Sequence, residues 1–155
     1  MSQPFPVHIP FVAQLGLSLE RFDHGEAELS LALDADVHTN SFGVAHGGLL
    51  MTMLDVAMAH AARSLNKGAA DGGPGVVTIE MKTSFMRPGQ GRLRAVGNVL
   101  QGTPKMAFCE GRVLNEAGEL CAHATGTFKY LRALPVSGRQ TQALKRVSPD
   151  ATGSD

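Results

Sequence analysis

Apolar residues recur along this chain with two different periods, and the switch between them outlines the fold. Residues 26–33 alternate strictly, with Ala27, Leu29, Leu31 and Leu33 on one face and Glu26, Glu28 and Ser30 on the other. This predicts a half-buried strand that begins upstream, near Leu17. Residues 34–45 carry turn formers without periodicity and read as a loop. Residues 46–65 are apolar almost all round and would make a helix about 30 Å long. Asp55, His60 and Arg63 interrupt it, and no second such segment exists. It therefore reads as a helix buried in a soluble core rather than in a membrane. After a glycine-rich link at 68–75, four runs read as strands: 76–86, 92–100, 105–114 and 119–130. The intervening RPGQG, GTP and NEAG turns are short and favour antiparallel neighbours in a meander. In the first of these strands, alternation turns Val77, Ile79, Met81 and Phe85 to the core and Thr78, Glu80 and Lys82 away from it.

One strand, one long apolar helix and four more strands make an α+β plan, in which a curled antiparallel sheet must wrap a central helix. The expected units are an N-terminal arm with a short helix (1–15), one α+β domain (16–134) and a tail (135–155). The arm is set by Pro4, Pro6 and Pro10, and its helix, around Phe11, Val12 and Leu15, ends at Gly16. Beyond Leu134 the composition turns to Ser, Gly, Gln, Thr, Lys and Asp without periodicity, which reads as disorder.

Fourteen basic and fourteen acidic residues leave no net charge. No global field draws the chain to nucleic acid or an acidic membrane, so an anionic ligand must be held locally. Cys109 and Cys121 match neither a metal spacing nor a disulfide framework. The start of the chain has no charged leader followed by an apolar run, so the expected compartment is the reduced cytoplasm.

The chemistry concentrates at the helix. His46-Gly47-Gly48 opens it, and backbone N–H groups at a helix start, at the positive end of the dipole, suit a developing negative oxygen. Helix capping or tight packing is the alternative role for the two glycines. Asp55 is the candidate base or nucleophile. It shares a loose polar stripe with Thr52 and Arg63, so a solvated or salt-bridged edge is the competing reading. Asn40 can donate to a carbonyl or simply form its own turn, and His46 can be an acid, a donor or a pin for the loop. The spacings of His38, His46, Asp55 and His60 fit no standard metal motif. Arg87, Arg92 and Arg94 gather charge around the RPGQG turn, suited to phosphates, although an ordinary solvated turn has the same composition.

Nine residues separate His46 from Asp55, a rise of about 13.5 Å and a rotation of roughly 180° on an ideal helix. One chain cannot bring its own helix start and its own Asp55 to one reacting carbon. If both act on one substrate, the site combines two subunits related by a two-fold axis.

The composite Asn40-x5-His46-Gly47-Gly48-x6-Asp55, with GVVTIEM at 75–81 and FMRP at 85–88, resembles the hotdog-fold acyl-CoA thioesterases of the phenylacetic acid degradation (PaaI) type. The resemblance spans roughly residues 15–131. It implies that Asp55 is the catalytic carboxylate, that Gly47 N–H and Asn40 bind the thioester carbonyl, and that His46 supports the loop. It places Thr78 where relatives orient the nucleophile, opposite a partner subunit's carboxylate. Gly48, Arg87 and Arg92 are the expected substrate contacts. It also implies an acyl-CoA substrate with an aromatic or medium-length acyl group, no separate cofactor or metal, and a homodimer or dimer of dimers. A non-catalytic acyl-ligand module and a hydratase are the competing functions on the same fold.

Overall fold

The computed structural model describes residues 1–147. A short helix α1 (Pro10–Leu15) leads into strands β1 (Ser18–Asp23) and β2 (Glu26–Ala32), followed by the long helix α2 (Gly47–Ser64). Strands β3 (Gly75–Phe85), β4 (Arg92–Gly102), β5 (Met106–Leu114) and β6 (Leu120–Leu131) come next. The six strands form one antiparallel sheet in the order β1-β2-β4-β5-β6-β3. No helix among the described residues is long and apolar enough to cross a membrane.

The sheet curls round α2 because both sides of the contact are built for it. Leu50, Met53, Leu54, Ala57, Met58 and Ala62 bury on the helix, and Leu29, Leu93, Val113 and Phe128 join them from the sheet in one apolar cluster. Gly97 of β4 and Gly111 of β5 are cross-strand partners beneath the helix. A Cβ on Gly97 would lie 2.4 Å from the Ala57 carbonyl oxygen, so helix backbone rests on sheet backbone there.

Four expectations need correction. The strand expected from near Leu17 is two strands. His24 and Gly25 take positive φ values of 49° and 78° and close a two-residue hairpin between them. The last four strands are not a simple meander, because β3 pairs with β6 at the far edge rather than with β4. The curl brings the ends of β3 and β4 close enough for the RPGQG link, which Ala45 N–H anchors by donating to Gly89 O at 2.9 Å.

The facing within β3 also differs. Thr78 pairs with Phe128 and Glu80 with Thr127, leaving Ile79 as a bulge that shifts the alternation by one. Opposite residues share a face, so Val76 and Thr78 before the bulge, and Met81, Thr83 and Phe85 after it, lie on the helix side with Phe128 and Ala122. Val77 and Ile79 do not face the core, and Ile79 is 53% exposed.

Finally, the stretch after Leu134 is not structureless. Strands β7 (Ala133–Ser137) and β8 (Gln140–Ala143) form a separate hairpin. Long-range contacts fix it: Leu144 packs on Gly75, Arg146 donates to Gly73 O at 2.7 Å, and His8 N–H reaches Lys145 O. Residues 148–155 of the expected tail lie outside the described residues.

Candidate active site

His46 is the N-cap of α2, and its Nδ1 accepts the Gly48 N–H at 2.9 Å. That contact leaves the ring proton on Nε2 and makes His46 the loop pin rather than a base. It also corrects the role of Gly48, whose N–H is spent on the cap. Leu49 and Leu50 N–H groups both reach His46 O. Gly47 N–H is then the donor at the helix start without a protein acceptor among the described residues. A Cβ at Gly47 would meet only the Phe85 ring, at 3.5–3.6 Å, an ordinary contact. Packing therefore does not require glycine here, whereas close approach of a ligand to the N–H does.

Asn40 forms the turn with one atom of its amide and leaves the other unused. Its Oδ1 accepts Phe42 N–H at 2.9 Å and Val44 N–H at 3.3 Å, closing the loop turn, and its Nδ2 remains a free donor among the described residues. Asn40, Gly47, Leu50, Phe85, Met86 and Arg87 line one cavity of about 360 Å³.

Asp55 lies half-buried further along α2. Thr78 Oγ1 donates to its Oδ1 at 2.6 Å, a contact possible only because Thr78 precedes the bulge and faces the helix. Burial raises the carboxyl above its usual range, and the Thr78 bond partly offsets that rise. The salt-bridged-edge reading fails, since Arg63 is only 4% exposed and its Nε reaches Pro74 O. Thr78 thus orients the carboxylate of its own chain, where a position opposite a partner subunit's carboxylate was expected.

The arginines separate. Arg87 borders the Gly47 cavity, with Nη1 donating to Leu120 O at 2.8 Å and Nε 3.8 Å from Glu119. Arg92 does not join it; its Nη2 donates to Ser30 Oγ at 3.1 Å and stands 4.0 Å from Glu20. Arg94 pairs with Glu28 on the outer sheet face at 3.2 Å. His38 and His60, the other two histidines weighed as metal ligands, are held by protein partners. His38 accepts Asp34 N–H through Nδ1 and meets Leu15 O through Nε2. His60 donates from Nδ1 to Val56 O and packs edge-on against Phe5 and Phe22. Burial holds His60 down at about 4, the Val56 bond opposing and Arg63 adding to the shift. Phe85 is the residue that sequence reasoning missed, because the alternation sent it into the core; only the pairing of β3 with β6 sets it beside Gly47.

A family model described as the thioesterase superfamily matches residues 42–122, which include Gly47, Asp55, Thr78 and Phe85. The medium/long-chain acyl-CoA thioesterase YigI of Salmonella typhimurium is 29% identical over 143 residues, 83% of this chain and 90% of that protein. A conserved protein from Pseudomonas aeruginosa superposes with a TM-score of 0.72 at 30% identity, covering 81% of this chain and 97% of that one. A variant of the phenylacetic acid degradation protein PaaI from Thermus thermophilus gives 0.68 at 30% identity, covering 79% and 100%. The chain belongs to the thioesterase superfamily and carries its helix-in-sheet hotdog fold.

Proposed function

We propose that this protein hydrolyses acyl-CoA thioesters at a site shared between two copies of the chain, with Asp55 as general base. The single observation that carries this reading is the Asp55–Thr78 pair. A carboxylate made more basic by burial keeps one oxygen on a hydroxyl donor and has the other free for water. The water oxygen attacks the thioester carbonyl carbon while Asp55 takes its proton. The resulting oxyanion is held by Gly47 N–H and Asn40 Nδ2. The C–S bond then breaks, the thiolate takes up a proton, and the acid and CoA leave. Asp55→Asn keeps the shape and removes the base.

Two copies are required by the positions of the two halves. Along β3, Phe85 marks the Gly47 end and Thr78 the Asp55 end, roughly 20 Å apart at about 3.3 Å per residue. The outer side of β3 pairs with no strand among the described residues, and its eleven residues include Ile79 and Phe85, both about half exposed. A long unprotected edge of this kind invites pairing. The other edge, β1, is covered by the N-terminal arm, where Gln3 N–H donates to Leu19 O at 2.8 Å. Antiparallel pairing of two β3 edges about a two-fold axis sets Gly47 beside Asp55 of the partner subunit. Two such dimers joined face to face would give a tetramer. Aromatic and medium-length acyl groups are the expected substrates, and the cytoplasm the expected compartment.

The test is thiol release from aromatic and straight-chain acyl-CoAs by the wild-type protein and by Asp55→Asn. Loss of turnover in the variant supports the assignment. Undiminished turnover removes Asp55 from its role, and no release from any substrate by the wild type favours a binding module. Mixing Asp55→Asn with Gly47→Pro chains should restore part of the activity, because one site in the heterodimer is intact; verified heterodimers without recovery refute the shared site.

A further inference from the structure

Phe85 closes β3 on the helix side, its ring against the one position where the thioester carbonyl is expected to dock. It is large, apolar and 51% exposed, yet it is not on the outer face of the sheet, where such exposure is ordinary. Its ring atoms Cε1 and Cζ stand 3.5 and 3.6 Å from the place a Gly47 Cβ would take. The same ring forms a wall of the 360 Å³ cavity that reaches Asn40 and Leu50. The rest of that lining is mostly uncharged and apolar, including Val44, Ala45, Met86 and Pro88. Its one charged residue, Arg87, is tied to Leu120 O and lies near Glu119.

Resting on the thioesterase reading, we infer that Phe85 sets the acyl selectivity of this protein: the uncharged acyl arm leaves the Gly47-bound carbonyl across the Phe85 ring into this cavity. A carbonyl oxygen on Gly47 N–H brings its carbon, and the first carbons of whichever arm enters the cavity, within contact distance of the ring. The apolar lining suits a hydrocarbon arm and offers the amides of a pantetheine arm few partners beyond Asn40. The ring therefore limits the width and length of acyl group that reaches bonding distance of the helix start.

The experiment measures kcat/KM for wild type, Phe85→Ala and Phe85→Leu on a ladder of straight-chain acyl-CoAs from butanoyl to hexadecanoyl, with phenylacetyl-CoA as the wide member. Phe108→Ala serves as the control, on the opposite face of the sheet, where Phe108 pairs with Thr127. Truncation to Ala is expected to raise the ratio of long or wide to short substrates about 10-fold or more, the scale of discrimination in an apolar pocket. Leu, which keeps part of the wall and guards against a folding defect in the Ala variant, should shift the ratio less in the same direction. The control should leave it unchanged. A fall by one common factor across the whole ladder overturns the assignment of Phe85 while leaving hydrolysis intact. Absence of thiol release by the wild type overturns the hydrolase reading, and this inference with it.

Discussion

Gly97→Ala tests whether close backbone contact between sheet and helix holds the Asp55 carboxylate, the proposed general base, in place. The new Cβ would stand 2.4 Å from Ala57 O, 2.5 Å from Ala57 C and 2.7 Å from Met58 N, whereas real Cβ contacts essentially never fall below 3.0 Å. All three neighbours are backbone atoms of α2, so no rotamer change relieves the clash. The helix must recede by at least 0.6 Å, the difference between 3.0 and 2.4 Å. Overpacking of this kind costs ~1–3 kcal/mol, opposed by ~0.5–1 kcal/mol from removing a strand glycine. The midpoints of these two ranges leave a net loss of ~1.25 kcal/mol, which for a domain of this size lowers the melting temperature by roughly 2.5–5 °C. Asp55 lies two residues from Ala57, and a comparable shift there stretches its 2.6 Å contact with Thr78. Displacement of a reacting group by ~1 Å can cost about 100-fold, so a fall of kcat near 10-fold is expected, with a smaller change in KM. Thermal melts and steady-state thiol release measure both effects. Gly68→Ala is the control, since its Cβ would meet nothing within 4 Å. A Gly97→Ala protein that melts within about 1 °C of wild type with unchanged kcat would refute the reasoning.

Three further outcomes follow from the same geometry. Thr78→Val removes the hydroxyl that stabilises ionised Asp55, a hydrogen bond worth ~1.5–3 kcal/mol to a charged group. The acid limb of the pH–rate profile should move to higher pH, with rate losses of about 10- to 100-fold on that limb and recovery in Thr78→Ser; an unmoved limb contradicts the pairing. His60 is held at about 4 in the folded chain against 6.5 in its ordinary state, so the unfolded chain binds the extra proton between those values. Stability should therefore rise with pH across that window and be lost as pH falls through it. His60→Leu should flatten the urea-derived slope by up to about 1.4 kcal/mol per pH unit, and an unchanged slope assigns the acid sensitivity elsewhere. Gly47→Ala should leave the melting temperature near that of wild type, because its Cβ makes only ordinary contact with Phe85, while kcat falls as the methyl group crowds the N–H; equal loss of both would make Gly47 a packing residue.

How legible each part was in the sequence depends on whether its cause is local. The facing of β2 could be read because one side of it is buried, with Ala27, Leu29 and Leu31 at 0–3% exposure, so alternation and environment coincide. In β3 the sequence VVTIEMKTSF supports a single phase from end to end, and both Val76 and Val77 are apolar. The bulge at Ile79 is written only in the pairing with β6, a partner about 50 residues away in the chain, and it decides that Thr78 meets Asp55. The C-terminal hairpin escaped for a related reason: its strands are exposed almost throughout and its anchors lie on Gly73 and Gly75, so no local pattern encodes it. The catalytic candidates were legible as departures from pattern, a carboxylate in an apolar helix and a glycine pair at a helix start. Their partners were not, because the residues that make those departures tolerable are set by curl and register. Asp55 is kept half-buried by a hydroxyl that a bulge turns inward, and Gly47 stays open beside a ring brought there by the far end of the same strand. One irregularity in β3 therefore fixes which side chains both halves of the candidate site present: regular pairing of Ile79 with β6 in place of the bulge would reverse the facing on one side of it, at the cost of either Thr78 or Phe85, whereas deletion of Ile79 would keep Thr78 on Phe128 and Glu80 on Thr127 with both facings intact.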